Sequence, residues 1–182
     1  MDVTLTTPRL VLRQPAPQDI DAIVEGLNDF EVTRFLTKVP FPYGAEDASW
    51  WLGTLTPPKP GDARFAIDLG GRLIGVVGLE PQLGFWLDRR HHGRGLMTEA
   101  AAALLDWHFA AIPDDRVASA AHVGNEASLN VQSKLGFRET GIRTMSMTRA
   151  LGREVEHVET SLTRADFDEA RQVLARRALR RP

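Results

Sequence analysis

The chain has 182 residues, 43% of them apolar and 25% charged, which suits one domain with a sizeable core. A formal net charge of −2 gives no electrostatic case for binding nucleic acid, and the lack of cysteine excludes disulfides, thiolate metal sites and a cysteine nucleophile. The opening Met1-Asp-Val-Thr-Leu-Thr-Thr-Pro8 has neither the basic start nor the apolar core of a signal peptide. No apolar run approaches the ~18 residues of a membrane span, so the expected location is the cytoplasm.

Arg9-Leu-Val-Leu-Arg13, which ends before Pro15, predicts a first strand. Ile20, Ile23, Val24 and Leu27 at helical spacing, with Pro17 in the first turn, predict a helix over 17–27. A short helical piece is expected over 31–36, and a longer helix over 45–55, where Trp50, Trp51 and Leu55 fall. Thr56-Pro-Pro-Lys-Pro-Gly61 has the chemistry of a rigid loop. Strand-like runs over 64–69 and 72–79 around Gly70-Gly71 predict a β-hairpin, and Glu80-Pro-Gln82 leads tightly into a strand over 83–88. Met97, Ala101, Leu104, Leu105, His108 and Ile112 then share one face of a helix that Pro113 ends. A strand over 116–122, a helix over 125–135 closed by Gly136, and two strands over 137–148 and 154–163 complete the pattern. A helical tail over about 166–182 follows; from Arg164 onward it holds six arginines against three acids. This order predicts a single α/β (α+β) domain over 1–182, with a mixed, mostly antiparallel central sheet of about seven strands and helices on both faces.

The segment most suggestive of chemistry is the loop Arg90-x-x-Gly93-x-Gly95, between an apolar strand and a helix N-terminus. Such a loop aims unsatisfied backbone N–H groups at one point, and the helix dipole favours an anion there. It is not a Walker loop, because one residue rather than four separates the glycines and no Lys-Ser/Thr follows. Nor is it a dinucleotide fingerprint, because Thr98 stands where the third glycine belongs. A phosphate nest and a plain glycine turn both fit the loop taken alone. Some thirty residues later, Asn125-x-x-Ser128-x-x-Val131-x-x-Lys134-Leu-Gly-Phe137 opens the second late helix.

Together these segments resemble the GNAT superfamily of acetyl-CoA-dependent N-acetyltransferases, and within it the Rim-type branch that includes ribosomal-protein N-terminal acetyltransferases. Arg90, Gly93 and Gly95 match the family's loop, and Thr98-Glu99-Ala100 resembles the branch's continuation. So do Thr7-Pro-Arg-Leu-Val-Leu-Arg13 and the hairpin residues Leu73-Ile74-Gly75. The resemblance covers about residues 4 to 168 and implies a sheet splayed between the strands at 85–88 and 116–122. A coenzyme A pantetheine arm would lie in the splay as a pseudo-strand, paired with the backbone of Trp86, Leu87 and Asp88.

The same resemblance implies that N–H groups from His92 through Gly93, Arg94, Gly95 and Leu96 to Met97 hold the pyrophosphate, with Asn125, Ser128 and Lys134 completing the cofactor site. The Leu87 N–H becomes the candidate donor to the thioester carbonyl. Glu80 is the candidate general base, with a turn acid before Pro81 as its competing role, and His122 stands second as base. Many family members carry a tyrosine where this chain has Gln132, so Ser128 is the expected donor near the sulfur; helix capping is its alternative. Arg94 and Lys134 fit solvated roles equally well.

Acetyl-CoA is therefore the expected acyl donor, with no metal. The expected acceptor is a primary amine, either a protein N-terminus or a small molecule such as an antibiotic. Phe35, Tyr43 and Trp50, with Trp51, fall where the resemblance places the acceptor pocket, although paired tryptophans also suit a core. A non-catalytic coenzyme A-binding regulatory module is the rival of another class. No nucleic-acid or membrane partner is expected, and the basic tail suits homodimer contacts.

Overall fold

A computed structural model describes residues 3–178. It contains eight strands: β1 (Leu5–Thr6), β2 (Val11–Arg13), β3 (Ala63–Leu69), β4 (Arg72–Leu79), β5 (Leu83–Leu87), β6 (Arg116–His122), β7 (Arg138–Thr148) and β8 (Arg153–Thr163). The helices are α1 (Ile20–Leu27), α2 (Phe30–Thr33), α3 (Ala45–Gly53), α4 (Leu96–Ala111), α5 (Glu126–Lys134) and α6 (Arg164–Ala178). The strand beyond the expected seven is β1, two residues long, which pairs with β2 across the turn at Pro8. Residues 179–182 of the expected basic tail lie outside the described residues.

All the strands form one sheet in the order β1-β2-β3-β4-β5-β6-β8-β7. Every neighbouring pair is antiparallel except β5 and β6, which are parallel because α4 carries the chain from the end of one to the start of the other. That pair has a single register contact, Leu83 with Ser119. Beyond it the two strands share no pairing, so the sheet opens into a gap toward Leu87 and His122.

Two cores hold the layers. On one face α4 is alanine-rich and presents Leu104, Leu105 and Phe109, all fully buried, to Val77, Leu79, Leu83 and Leu87 of the sheet. Phe167 of α6 joins this core, as does Leu135 at the end of α5. The turn into β7 runs close beneath α6. A Cβ on Gly136 would sit 2.5 Å from the Asp166 carbonyl oxygen, and its φ of +95° also requires glycine.

On the other face α1 and α3 pack over β3 and β4 through Ile23, Leu27, Ala48, Ala66 and Val76. Gly26 of α1 admits the Trp86 ring, since a Cβ there would lie 2.6 Å from Cζ3. These helices stop at β5. On the same face, Ala118 and Ala120 of β6 and Glu159 and Ser161 of β8 remain half-buried.

Candidate functional site

The loop after β5 is a single helical turn over Arg89–His91, followed by two left-handed glycines, Gly93 (φ +73°) and Gly95 (φ +74°). Only glycine adopts this conformation without strain, and here it turns the backbone into the N-terminus of α4. The N–H groups of Gly93, Arg94, Gly95, Leu96, Met97 and Thr98 find no protein acceptor among the described residues. The first regular bond of the helix runs from the Glu99 N–H to the Gly95 carbonyl. The loop is thus a set of free donors at the positive end of a helix.

The expected donor set is corrected at its start. The His92 N–H is already bonded to the Arg89 carbonyl, while its ring Nε2 lies 2.8 Å from the Leu87 carbonyl oxygen. His92 therefore braces the loop against β5 through its side chain.

Three tethers fix the loop. Glu99 accepts from the Thr7 hydroxyl at 2.6 Å and from the Arg9 backbone and guanidinium, while Arg9 also donates to the Arg94 carbonyl at 2.9 Å. Thr7-Pro-Arg9 and Thr98-Glu-Ala100 are therefore two halves of one clamp. Burial pushes the Glu99 carboxyl up, but the Thr7 and Arg9 hydrogen bonds outweigh it and hold it below the usual carboxylate range. On the other side Arg90 bridges Asp88 and Glu25 of α1, and Arg89 pairs with Asp29. The Arg90 hydrogen bond holds the Asp88 carboxyl below its ordinary value.

Strand parity decides which backbone groups face the gap. The Asp88 N–H bonds to the Ile74 carbonyl of β4, and Trp86 is paired with Val76 two residues earlier. In an antiparallel ladder alternate residues point their polar groups to one side, so Gly84, Trp86 and Asp88 are committed to β4. Phe85 and Leu87 point theirs into the gap. This corrects the expected stretch: Trp86 and Asp88 have no free backbone edge there, and Phe85, which the sequence did not single out, has one. The Trp86 ring instead lies against α1.

Across the gap, Asn125 caps α5 by accepting from the Ser128 N–H at 3.2 Å. The Ser128 hydroxyl oxygen accepts from Gln132 Nε2 at 3.2 Å, which leaves its O–H free to donate. Gln132, only 1% exposed, accepts in turn from the Thr160 hydroxyl at 2.7 Å. Thr160 also approaches the Ser119 carbonyl at 3.2 Å, and the Ser119 hydroxyl donates to the Leu83 carbonyl at 2.8 Å. A buried hydrogen-bonded chain therefore runs from the point where β5 and β6 join to Ser128. The glutamine in the tyrosine position is what completes it, and the chain is not legible locally because its members lie far apart in sequence. Lys134, in the last turn of α5, is exposed.

The residues assigned to the acceptor side scatter. Phe35 is half-buried and stacks edge-on against His122, 5.7 Å between centroids. Tyr43 is 6% exposed inside the second core, and burial pushes its hydroxyl up to about 12. Trp50 is 71% exposed, and Trp51 packs against the second core. Tyr43 is therefore corrected to a core residue, and Trp50 to an outer residue of α3. Both reversals follow from how α3 lies on the sheet, which local sequence does not reveal.

Glu80 follows the last residue of β4 and is held by Arg64 of β3 in an ion pair with the carboxylate half-exposed. His122 ends β6, is 3% exposed, and meets the His157 ring at 4.4 Å. Burial, with the nearby His157 and Arg153, lowers it to about 4, so it is neutral at physiological pH.

Two open surface hollows lie elsewhere, one of about 520 Å³ beside Arg13 and Asp19 and one of about 360 Å³ beside α5. Neither includes the free donors of the loop or the Phe85–Leu87 edge, so directed backbone chemistry rather than concavity marks the site. Among the described residues no group of three or more His, Asp or Glu is placed to hold a metal ion, and no helix is long and apolar enough to cross a membrane.

Comparison with known proteins agrees with this geometry. The chain is 26% identical over 176 residues to the uncharacterised N-acetyltransferase p20 of Bacillus licheniformis, spanning 90% of this chain and 98% of the relative. Its fold superimposes on Mycobacterium smegmatis RimJ, solved with CoA-disulfide, with a TM-score of 0.76, 20% identity and coverage of 96% and 93% of the two chains. The ribosomal-protein-S5-alanine acetyltransferase of Vibrio fischeri gives a TM-score of 0.74, 22% identity and coverage of 91% and 99%. These two likenesses establish the fold. Residues 9–138 match the family model of the acetyltransferase (GNAT) domain, and the chain belongs to that family of acyltransferases.

Proposed function

We propose that this acetyltransferase takes acetyl-CoA as donor in the gap between β5 and β6 and transfers the acetyl group directly to a primary amine, with a protein N-terminal amine as the acceptor class. The observation that carries the reading is the continuity of two sets of free donors: the loop N–H groups from Gly93 to Met97 and the gap-facing edge of Phe85 and Leu87. The first set fits a pyrophosphate, and Arg94 adds charge beside it. The second fits the amides of an extended arm lying along β5. Bound acetyl-CoA supplies a thioester-activated acetyl group. The N–H groups of Phe85 and Leu87 would hold that arm along the gap, with the Leu87 N–H assigned as the donor to the thioester carbonyl as charge develops. Asn125 orders the start of α5, the free O–H of Ser128 donates to the departing sulfur, and Lys134 lies at the outer end of the groove.

The acceptor must lose a proton. An α-amino group titrates at about 7.7–8.0, so modest help suffices, whereas a lysine side chain at about 10.4 needs more. Glu80 shares a sheet face with Gly78 and Gly84, on the side of the gap away from α4, and is assigned as proton acceptor, directly or through water. Arg64 holds its carboxylate in place. Phe35 and His122 form the apolar wall at the open end of the same face. The names of the ribosomal-protein acetyltransferases among the structural neighbours favour an N-terminal amine over a small-molecule acceptor. Location in the cytoplasm accords with such acceptors.

A screen of peptides with free N-termini and of small amines, read out as free thiol, tests the reading. Turnover is expected with peptide N-termini, falling about 10²–10⁴-fold in Glu80→Gln with coenzyme A affinity unchanged. Coenzyme A binding without turnover on any amine would favour a non-catalytic binding module instead.

A further inference from the structure

Glu159 is an unusual residue for its place. It lies on β8, an interior strand flanked by β6 and β7, yet it carries a half-buried carboxylate with no ion-pair partner among the described residues. Its neighbours on β8, Val158 and Thr160, point to the face covered by α4, α5 and α6, as the burial of Val158 and the Thr160–Gln132 bond show. Strand alternation therefore directs Glu159 to the opposite face, where α1 and α3 do not reach.

The register places Glu159 directly beside Ala120 of β6, and His157 beside His122. Ala120 borders the gap and carries no side chain tall enough to screen it. Across the gap on the same face stands Gly84, whose Cβ position is open, and beyond it Gly78 and the Glu80 corner. The half-open surface around the proposed transfer point thus has a carboxylate on each side, Glu80 toward β4 and Glu159 toward β8. The charged and titratable groups nearest Glu159 do not neutralise it. His157 is 5% exposed and bonded through Nδ1 to the Val155 carbonyl, and Arg116 is directed to the Ser161 hydroxyl at 3.4 Å. Among the described residues, the one side-chain partner of the Glu159 carboxylate is the Thr144 hydroxyl, which donates to Oε1 at 2.7 Å and leaves Oε2 without a partner.

A half-buried carboxylate loses hydration, and the loss is recovered only when a cation or several donors meet it. We propose that Glu159 is the acceptor-recognition residue of this site, binding the ammonium form of the incoming amine on the side of the gap opposite Glu80. The inference deepens the N-acetyltransferase reading and rests on it. It assigns the acceptor to positively charged primary amines, attracted as ammonium and deprotonated before attack, and it disfavours neutral or anionic acceptors. Thr144 holds the carboxylate in place through one oxygen while the other meets the ligand.

Equilibrium binding of propylammonium and of its neutral counterpart 1-propanol, followed by NMR titration with and without coenzyme A, tests this independently of turnover. The wild-type protein is expected to prefer the ammonium by about tenfold, and Glu159→Gln, which retains an acceptor for Thr144, to lose that preference. Thr144→Val removes the supporting hydrogen bond but keeps the charge, so it is expected to retain most of the preference. With a peptide acceptor found by the screen, Glu159→Gln is expected to raise the acceptor KM by a similar factor while the acetyl-CoA KM and kcat stay within about twofold. Equal binding of the two probes by wild-type protein, or a preference that survives Glu159→Gln, overturns the proposal. So does an equal loss in Thr144→Val, which marks Glu159 as structural. Failure of coenzyme A to bind, with the ammonium preference intact, would overturn the acetyltransferase reading while leaving the cation site standing.

Discussion

His122 shows how one residue's environment sets its chemistry. It lies against His157 and Phe35 at the open end of the gap, and burial, His157 and Arg153 bring it from 6.5 to about 4. At that value it is uncharged through the physiological range and lines the open end of the gap as a neutral ring. The shift has a stability consequence. Between about pH 4 and 6.5 the unfolded chain binds a proton at this position that the folded chain refuses. Stability linked to His122 is therefore complete above 6.5 and is lost as pH falls toward 4, by an amount on the order of 1–3 kcal/mol. Urea unfolding at pH 7 and pH 5 should show a steeper loss in wild-type protein than in His122→Asn. Parallel losses in the two proteins would show that the native state accepts the proton without cost.

At the scale of elements, β5 ties both halves of the molecule together. One face of it feeds the α4 core, the other seats Trp86 on α1, and one edge is left for a ligand. Gly26→Ala probes this, because the added Cβ would lie 2.6 Å from the Trp86 ring. Alanine favours a helix over glycine by about 0.5–1 kcal/mol, but overpacking against a ring costs about 1–3 kcal/mol. The variant is expected to be less stable in urea and to bind coenzyme A more weakly; increased stability would mean that Trp86 moves freely. The same strand marks where the sequence stopped being informative. Gly93 and Gly95 could be read directly, because a left-handed turn before a helix is local chemistry. The gap-facing edge could not. Choosing Phe85 and Leu87 over Trp86 and Asp88 depends on which residues β4 pairs with, and that register is a long-range fact. For the same reason the burial of Tyr43 and the exposure of Trp50 are not legible locally, and neither is the chain from Ser119 through Thr160 and Gln132 to Ser128.

Across the whole molecule, the sheet is continuous except where its one parallel pair parts, and almost every feature of the site borders that opening. The clamp of Thr7, Arg9 and Glu99 and the pairs of Arg89 with Asp29 and of Arg90 with Glu25 of α1 fix the loop from both sides, so the free donors are positioned before any ligand arrives. Preorganisation of this kind lowers the cost of ordering a loop on binding. The central claim is that these donors hold the cofactor, and calorimetric titration of coenzyme A into wild-type and Gly95→Asp proteins tests it most directly. At Gly95 a side chain is strained by the positive φ, and a carboxylate repels phosphate as well. The account predicts one-to-one binding to the wild type and none detectable to Gly95→Asp, with both proteins folded by circular dichroism. Folded wild-type protein that fails to bind coenzyme A, or a Gly95→Asp variant that binds it as well as wild type, would contradict it.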